Sequence, residues 1–292
     1  MTGWLVVNAF TASRKFIELY AQLEKAAADQ GVVLRRIGTI EASAWVAHGP
    51  SHSTVPDFVL FWDKDVRLCR ALELVGCRCL NSSRAIELCD DKAATYLELL
   101  EAGLPQPRAM LVPKAFHAPD WSQTSFPHRV ASELGLPVVA KECHGSFGAQ
   151  VHLARDEAEL ANILSAMQGR PALCQEFVQE SKGHDVRLQV VGNKVVAAME
   201  RLSASDDFRA NVTNGAMARL WEPTEAQSNL ALAACRVLGL DFAGVDLLFG
   251  KKDEPLVCEV NSNAHFVNLS RASGVDVAYH IVRHALASRG GA

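Results

Sequence analysis

Short apolar runs alternate with helix-patterned stretches over the first ninety residues, and this order constrains the fold more than any other feature of the chain. Trp4–Val7 is an apolar run broken by Asn8, followed by Phe16, Leu19, Tyr20, Leu23 and Ala27 at helical spacing. Gly31 ends that helix, and Val32–Ile37 reads as a second strand. Beyond a polar loop (His48–Pro56), Phe58–Trp62 is a third strand. Val66–Val75 is a helix stopped by Gly76, and Arg78–Leu80 is a short fourth strand. Strands in alternation with helices predict a small parallel α/β layer.

The pattern then changes. One long helix is expected from Arg84 to Glu101, with Gly103 just past its end and Pro105 and Pro107 beyond. Val138–Lys141 is a strand, Glu157–Met167 a helix and Leu173–Phe177 a strand. Asp185–Val191 and Val195–Arg201 flank Gly192-Asn193-Lys194, a hairpin-type connection. A helix from Glu225 to Leu238 leads to a second hairpin, Gly244–Leu248 and Leu256–Val260, and the tail from Asp276 is helical. At 292 residues two or three domains are expected. The pattern divides them as an α/β unit over 1–90, a central unit over 91–172 and a C-terminal unit over 173–292.

Composition narrows the function classes. Acidic residues (33) slightly outnumber basic ones (29), giving net charge −4. That balance argues against nucleic-acid or anionic-membrane binding, both of which need clustered positive charge. The eight cysteines form no CxxC pair and no spaced metal quartet, so they read as small buried thiols of a reducing compartment. MTGWLVVNAF has neither the basic nor the long apolar region of a signal peptide, and no window approaches a membrane span of about 20 apolar residues. A soluble, cytoplasmic protein is expected.

The second hairpin carries the chemistry. Asp246 sits inside Ala243-Gly244-Val245-Asp246-Leu247-Leu248, and Glu259 inside Leu256-Val257-Cys258-Glu259-Val260-Asn261. A carboxylate within an apolar strand costs several kcal/mol unless something neutralises it. Two of them facing across an antiparallel pair repel, and Asn261 projects from the same face as Glu259. Three oxygen donors in an apolar sheet suit a hard cation such as Mg²⁺, whereas an ordinary solvent-facing polar stripe would need none. Lys141 at the end of an apolar strand, Arg187 and Arg209 offer complementary positive charge. Gly145-Ser146-Phe147-Gly148 is a loop whose N–H groups can cover phosphate oxygens. There is no GxxxxGK[ST] and no GxGxxG, so a P-loop or Rossmann site is not expected.

From about Asn81 to the tail, the chain resembles the ATP-grasp superfamily and, within it, the RimK-type carboxylate–amine (alpha-L-glutamate) ligases. The resemblance is carried by Asp91-Lys92 with Gly103-Leu104-Pro105, and by Gln175-Glu176-Phe177 running to Gly183-His184-Asp185-Val186-Arg187. Further segments are Val190-Val191-Gly192 with Val195 to Arg201, Phe208-Arg209-Ala210-Asn211, and Ala243-Gly244-Val245-Asp246 with Glu259-Val260-Asn261-Ser262. It implies an α/β and α+β chain. An N-terminal pre-ATP-grasp domain would be followed by a central lid subdomain and a C-terminal catalytic subdomain.

The resemblance also implies residue roles. Lys92 and Lys141 look like the two lysines that contact nucleotide phosphates, with Ser146 and Gly148 in the covering loop. Glu176 to Asp185 looks like the stretch lining adenine and ribose, with backbone contacts near Phe177 and Val178. Arg209 and Asn211 match nucleotide and phosphate contacts. Asp246, Glu259 and Asn261 match metal ligands, Glu259 bridging two Mg²⁺ ions, with Mn²⁺ as the alternative ion. Arg187 and Arg209 are the catalytic candidates, and Arg187 and Arg201 are candidates for a substrate carboxylate or the transferred phosphate. Asn263 and His265 lie in the loop that borders the acceptor in such enzymes. Two departures stand out. Gln150 replaces a frequent glycine, which stiffens the lid loop or shifts its contacts. Ser262-Asn263-Ala264-His265-Phe266 replaces the usual Ser-Ser-Pro-Gly continuation, which puts glutamate-adding specificity in doubt.

The implied activity is ATP-dependent amide formation through an acyl phosphate, from small-molecule or peptide carboxylate and amine substrates. The alternatives are an ATP-grasp small-molecule kinase or a nucleotide-binding protein without turnover. Self-association is expected by analogy alone. His280 and His284 are four apart in the terminal helix but lack HExxH, so no metal site is expected there.

Overall fold

The computed structural model describes residues 1–11, 13–49, 55–115, 117–145, 148–203, 207–210 and 217–288. The first unit is the expected parallel layer. Strands β1 (Thr2–Val7), β2 (Val33–Gly38), β3 (Phe58–Trp62) and β4 (Cys79–Leu80) lie in the order β2-β1-β3-β4. All of its pairings are parallel. Helix α1 (Arg14–Asp29) follows β1, and α3 (Val66–Leu74) follows β3. Helix α2 (Thr39–His48) was not foreseen, because its stretch has little apolar periodicity to announce it.

The single helix expected over Arg84–Glu101 is two: α4 (Ser83–Asp90) and α5 (Lys92–Glu101). Asp91 is extended at the join, and its carboxylate accepts hydrogen bonds from the N–H groups of Ala93 and Ala94. It therefore caps the first turn of α5, and the break places Lys92 at a helix start instead of mid-helix.

A second sheet holds β5 (Ala109–Leu111), β6 (Val138–Glu142), β7 (Val151–Ala154) and β8 (Ala172–Glu176), ordered β5-β8-β6-β7. Helices α6 (Phe126–Leu134) and α7 (Glu157–Ala166) belong to the same unit, with α7 residues Leu160 and Leu164 in its core. β8 pairs with both β5 and β6. The change of sheet thus comes after Glu176 and not at residue 173.

The third sheet is antiparallel, ordered β11-β10-β9-β12-β13, from β9 (His184–Val191), β10 (Lys194–Leu202), β11 (Met217–Leu220), β12 (Phe242–Phe249) and β13 (Pro255–Asn261). Helix α8 (Glu225–Val237) covers one face, burying Leu230, Ala231 and Ala234 against Val186, Leu188 and Val245. On the other face, α9 (Val267–Ser273) and α10 (Val277–Ala287) share a core with α1 and one side of the N-terminal sheet. That common core fixes the first unit against the third. Asn81 reinforces the join: fully buried, it donates to the carbonyls of Phe242 and Ser262 and accepts from the N–H groups of Asp241 and Phe242.

Among the described residues no helix is long and apolar enough to cross a membrane. All eight cysteines are free. Cys69, Glu73 and Cys79 lie within metal-ligand reach of one another, but Glu73 already accepts from the Ser83 N–H and hydroxyl. The hydrogen bond to Cys69 and burial both push the Cys79 thiol far up, so it stays protonated.

Candidate active site

One cavity of about 450 Å³ opens where the three sheets meet. The second hairpin forms its floor. Asp246 on β12 is paired in register with Glu259 on β13, and Gly244 with Asn261, so period-two geometry puts Asp246, Glu259 and Asn261 on one face as expected. All three line the cavity.

Asp246 is not an isolated carboxylate. Its two oxygens accept from Nε and Nη2 of Arg187, each at 2.6 Å, and Arg201 Nη2 lies 3.0 Å away. Arg201 is also bidentate to Asp185, at 2.6 and 2.7 Å. Two aspartates and two arginines therefore form a charge-balanced cluster on neighbouring strands. Burial pushes the Asp246 carboxyl up, but Arg187 and Arg201 together outweigh it and hold it below the usual carboxylate range.

The two lysines arrive from different units. Lys92, at the start of α5, donates to the Gly145 carbonyl at 3.2 Å and lies 3.7 Å from Glu259 Oε1. Lys141, on β6, is buried and donates to Gln175 Oε1 at 2.5 Å. Arg209 makes an ion pair with Asp207 and donates to the carbonyl of Gly148 at 2.8 Å, tying its polar segment to the glycine loop. Glu176 accepts from the backbone and side chain of Arg108, each at 2.9 Å. Phe177 and Val178 line the cavity beyond it. Ser146 and Asn211 lie outside the described residues.

The Gln150 departure has a concrete form. A Cβ built on Gly145 would sit 2.3 Å from Gln150 Oε1, so this glutamine fills the space above Gly145, and it is the positive φ of Gly145 that favours glycine there.

The remaining wall joins the loop after Asn261 to the N-terminal unit, whose individual residues were not singled out in the sequence. Lys15, Phe16 and Tyr20 of α1, with Trp62 at the end of β3 and Asp63 just after it, close the cavity from the N-terminal unit. Asn263 Nδ2 donates to the Asp63 carbonyl at 2.8 Å, and His265 Nε2 meets the Lys15 carbonyl at 3.0 Å. The loop after Asn261 is thereby docked on this wall. Burial pushes the His265 imidazole down to about 4; the Lys15 carbonyl opposes that shift, while Lys15 and Arg187 charges add to it. It is neutral near pH 7 and donates through Nε2, which suits a structural role better than that of a proton acceptor. Tertiary packing alone brings this wall in. The one signal for it in the sequence is a lysine in the first turn of a helix with no acidic residue there.

Gly244 is required by close approach: a Cβ there would lie 2.6 Å from that of Ala264 and 3.5 Å from Arg187 Cδ. Gly244→Ala is expected to destabilise by about 1–3 kcal/mol, as overpacking does. Urea unfolding of the variant checks it.

The sequence profile of the RimK-like ATP-grasp domain matches residues 89–285. A probable alpha-L-glutamate ligase of Enterobacter sp. (strain 638) is 37% identical over 222 residues, 74% of this chain and 71% of that protein. N-acetylaspartylglutamate synthase A of Homo sapiens is 34% identical over 234 residues, covering 77% and 58% of the two chains. Beta-citrylglutamate synthase B of Danio rerio is 35% identical over 217 residues, and the matched region spans 74% of this chain but only 52% of that protein. Among solved structures, a RimK-domain ATP-grasp protein of Sphaerobacter thermophilus superposes with TM-score 0.73 at 21% identity, covering 97% and 99% of the two chains. The D-alanine–D-alanine ligase of Bacillus anthracis complexed with ATP gives 0.75 at 17% identity over 98% and 96%; at such identities the likeness is one of fold. The three-sheet architecture and the extent of the match lead to one conclusion: this chain belongs to the RimK-like ATP-grasp family.

Proposed function

We propose that the protein is an ATP-dependent carboxylate–amine ligase that forms an amide through an acyl phosphate, with an amino acid or peptide as one substrate. The observation that carries the reading is the register of Asp246 against Glu259 in an apolar hairpin, with Asn261 beside them and Lys92 and Lys141 across the same cavity. The donor set is all oxygen, and Asn261 Nδ2 is buried without a hydrogen-bond partner among the described residues. Both features fit Mg²⁺ with a bound triphosphate. Asp246, Glu259 and Asn261 would hold the metal, which when bound neutralises charge on the transferring phosphoryl group.

The rest of the chemistry falls to the chain's own groups. Lys92 and Lys141 would bind phosphate oxygens, and the backbone at Phe177 and Val178 would seat the base. A substrate carboxylate oxygen attacks the γ-phosphorus of ATP, so that ADP leaves and an acyl phosphate forms. The amine then attacks the acyl carbon, expelling inorganic phosphate and losing a proton. Phosphoryl transfer asks the protein mainly for positioning and charge. Arg187 and Arg201, held by Asp246 and Asp185, are placed to steady the transferred group, while the loop through Gly145 and Gly148, tied down by Arg209, shields the acyl phosphate from water.

The test is ADP release by the purified protein with Mg²⁺ and ATP, screened against amino acids and dipeptides and followed by mass measurement of the product. Release that requires both an acid and an amine, with a product lighter by one water than their sum, is expected. A stable phosphorylated acid formed without amine would mark a kinase instead. ATP binding without ADP across the whole screen would mark a non-catalytic nucleotide-binding protein. Chelation of the divalent ion is expected to stop turnover.

A further inference from the structure

Lys141 is 8% exposed, and what holds its ammonium sets it apart from other cations of the site. Lys92 lies against Glu259, Arg187 against Asp246, Arg201 against both Asp185 and Asp246, and Arg209 against Asp207. Lys141 Nζ pairs with no carboxylate among the described residues. Its hydrogen-bond partners there are the amide oxygen of Gln175 at 2.5 Å and the Cys258 sulfur at 3.9 Å. A buried ammonium without a counter-charge is costly, so the site keeps a positive charge that it does not itself neutralise.

Strand register brings the two side chains together. In the pairing of β6 with β8, Lys141 stands opposite Leu173, and Val139 opposite Gln175. Lys141 and Gln175 are therefore diagonal neighbours on one face of the sheet, a separation that long side chains bridge. Both line the cavity. Gln175 is 7% exposed, and β8 is held between β5 and β6, so the acceptor is fixed from both sides. The ammonium carries three donors, of which Gln175 takes one and the weakly accepting sulfur at most one more. A glutamate at 175 would offer an oxygen at the same reach and cancel the charge. Glutamine holds the ammonium and leaves its charge for an anion in the cavity.

We propose that Gln175 is a positioning residue that fixes Lys141 for the nucleotide phosphates without neutralising it. The inference rests on the ligase reading for Lys141 as a phosphate ligand. Because only an anion completes the arrangement, Gln175 matters to the phosphorylated ligand and not to the nucleoside.

The experiment measures binding without turnover. Wild type and variants are titrated with ADP plus Mg²⁺ and, separately, with adenosine, following the melting temperature, and each is unfolded in urea. Gln175→Glu keeps the acceptor and adds a counter-charge. It should raise the half-saturating ADP concentration about tenfold or more, the loss appropriate to a hydrogen bond with a charged group. Adenosine should stay within about twofold, and the urea midpoint should not fall, since the ammonium gains a partner. A merely structural glutamine would lose both ligands alike, together with stability. Gln175→Met, which removes the acceptor, should also weaken ADP. Combined with Lys141→Met it should bind ADP no worse than Lys141→Met alone, because both changes act on one interaction. Wild-type ADP affinity in Gln175→Glu, equal losses for ADP and adenosine, or additive losses in the methionine pair would overturn the inference. If Gln175→Met does not fold, the glutamate variant still decides. Lys141→Met that binds ADP as the wild type does would remove Lys141 from the phosphate set, a failure of the underlying reading that is seen separately from a failure at Gln175.

Discussion

Glu259→Gln is expected to lower ADP formation by at least about 10²–10³-fold, the loss seen when one preorganised charge-stabilising group is removed. Its stability should remain within about 0.5 kcal/mol of the wild type. The side chain is 36% exposed and the cation that pairs with it, Lys92, also donates to the Gly145 carbonyl, so little folding energy depends on the carboxylate. Asp246→Ala should behave differently although it lies directly opposite. Its side chain is 5% exposed and holds Arg187 and Arg201. Removing it leaves the buried Arg201 and the half-buried Arg187 short of a counter-charge, a change that costs about 3–5 kcal/mol. Denaturant midpoints together with ADP release separate the two residues: Glu259→Gln folded and inactive, Asp246→Ala inactive and destabilised. A Glu259→Gln protein that turns over ATP near the wild-type rate would remove Glu259 from the metal set.

What made this pair legible beforehand was local. Two carboxylates in apolar strands joined by a short connection must face each other if the hairpin is regular, because side chains alternate with period two. The α/β order of the first unit was legible for a similar reason: each element is bounded by its own glycine or polar loop. Legibility failed where one side chain settled a boundary. The Asp91 carboxylate splits the helix expected over 84–101 by bonding to Ala93 and Ala94, and apolar periodicity continues across that break. β8 went to the middle sheet because its partners, β5 and β6, were fixed by pairing that no single segment encodes. Arg187 and Arg201 were read as candidates for a substrate carboxylate or the transferred phosphate, and the structure engages both with aspartates on neighbouring strands. The individual residues of the N-terminal wall were not legible for the same physical reason. Lys15 and Asp63 meet His265 and Asn263 across some two hundred residues or more of sequence, through a core that α1 shares with α10.

Asn81→Ala is expected to be the most destabilising single substitution outside the charge cluster, at about 3–5 kcal/mol. It would strand two N–H groups and two carbonyls, each costing about 1–3 kcal/mol when fully unsatisfied and less after the backbone relaxes. All four groups belong to Asp241, Phe242 and Ser262, and Asn81 is wholly buried, so water cannot readily take its place. Against a typical stability of about 5–15 kcal/mol, that is a large share. Asn81→Asp keeps the acceptor for the two N–H groups but turns a charged oxygen toward the two carbonyls, and should be at least as damaging. The same side chain fixes Ser262, next to Asn261 and the Asn263–His265 stretch that docks on the first unit. Below its melting temperature the alanine variant should therefore bind the non-hydrolysable ATP analogue AMP-PNP nearly normally while losing affinity for the carboxylate substrate of the proposed reaction. Urea unfolding followed by the two titrations provides the measurement. Equal losses for nucleotide and carboxylate would mean that Asn81 supports the fold as a whole and has no particular hold on the substrate wall.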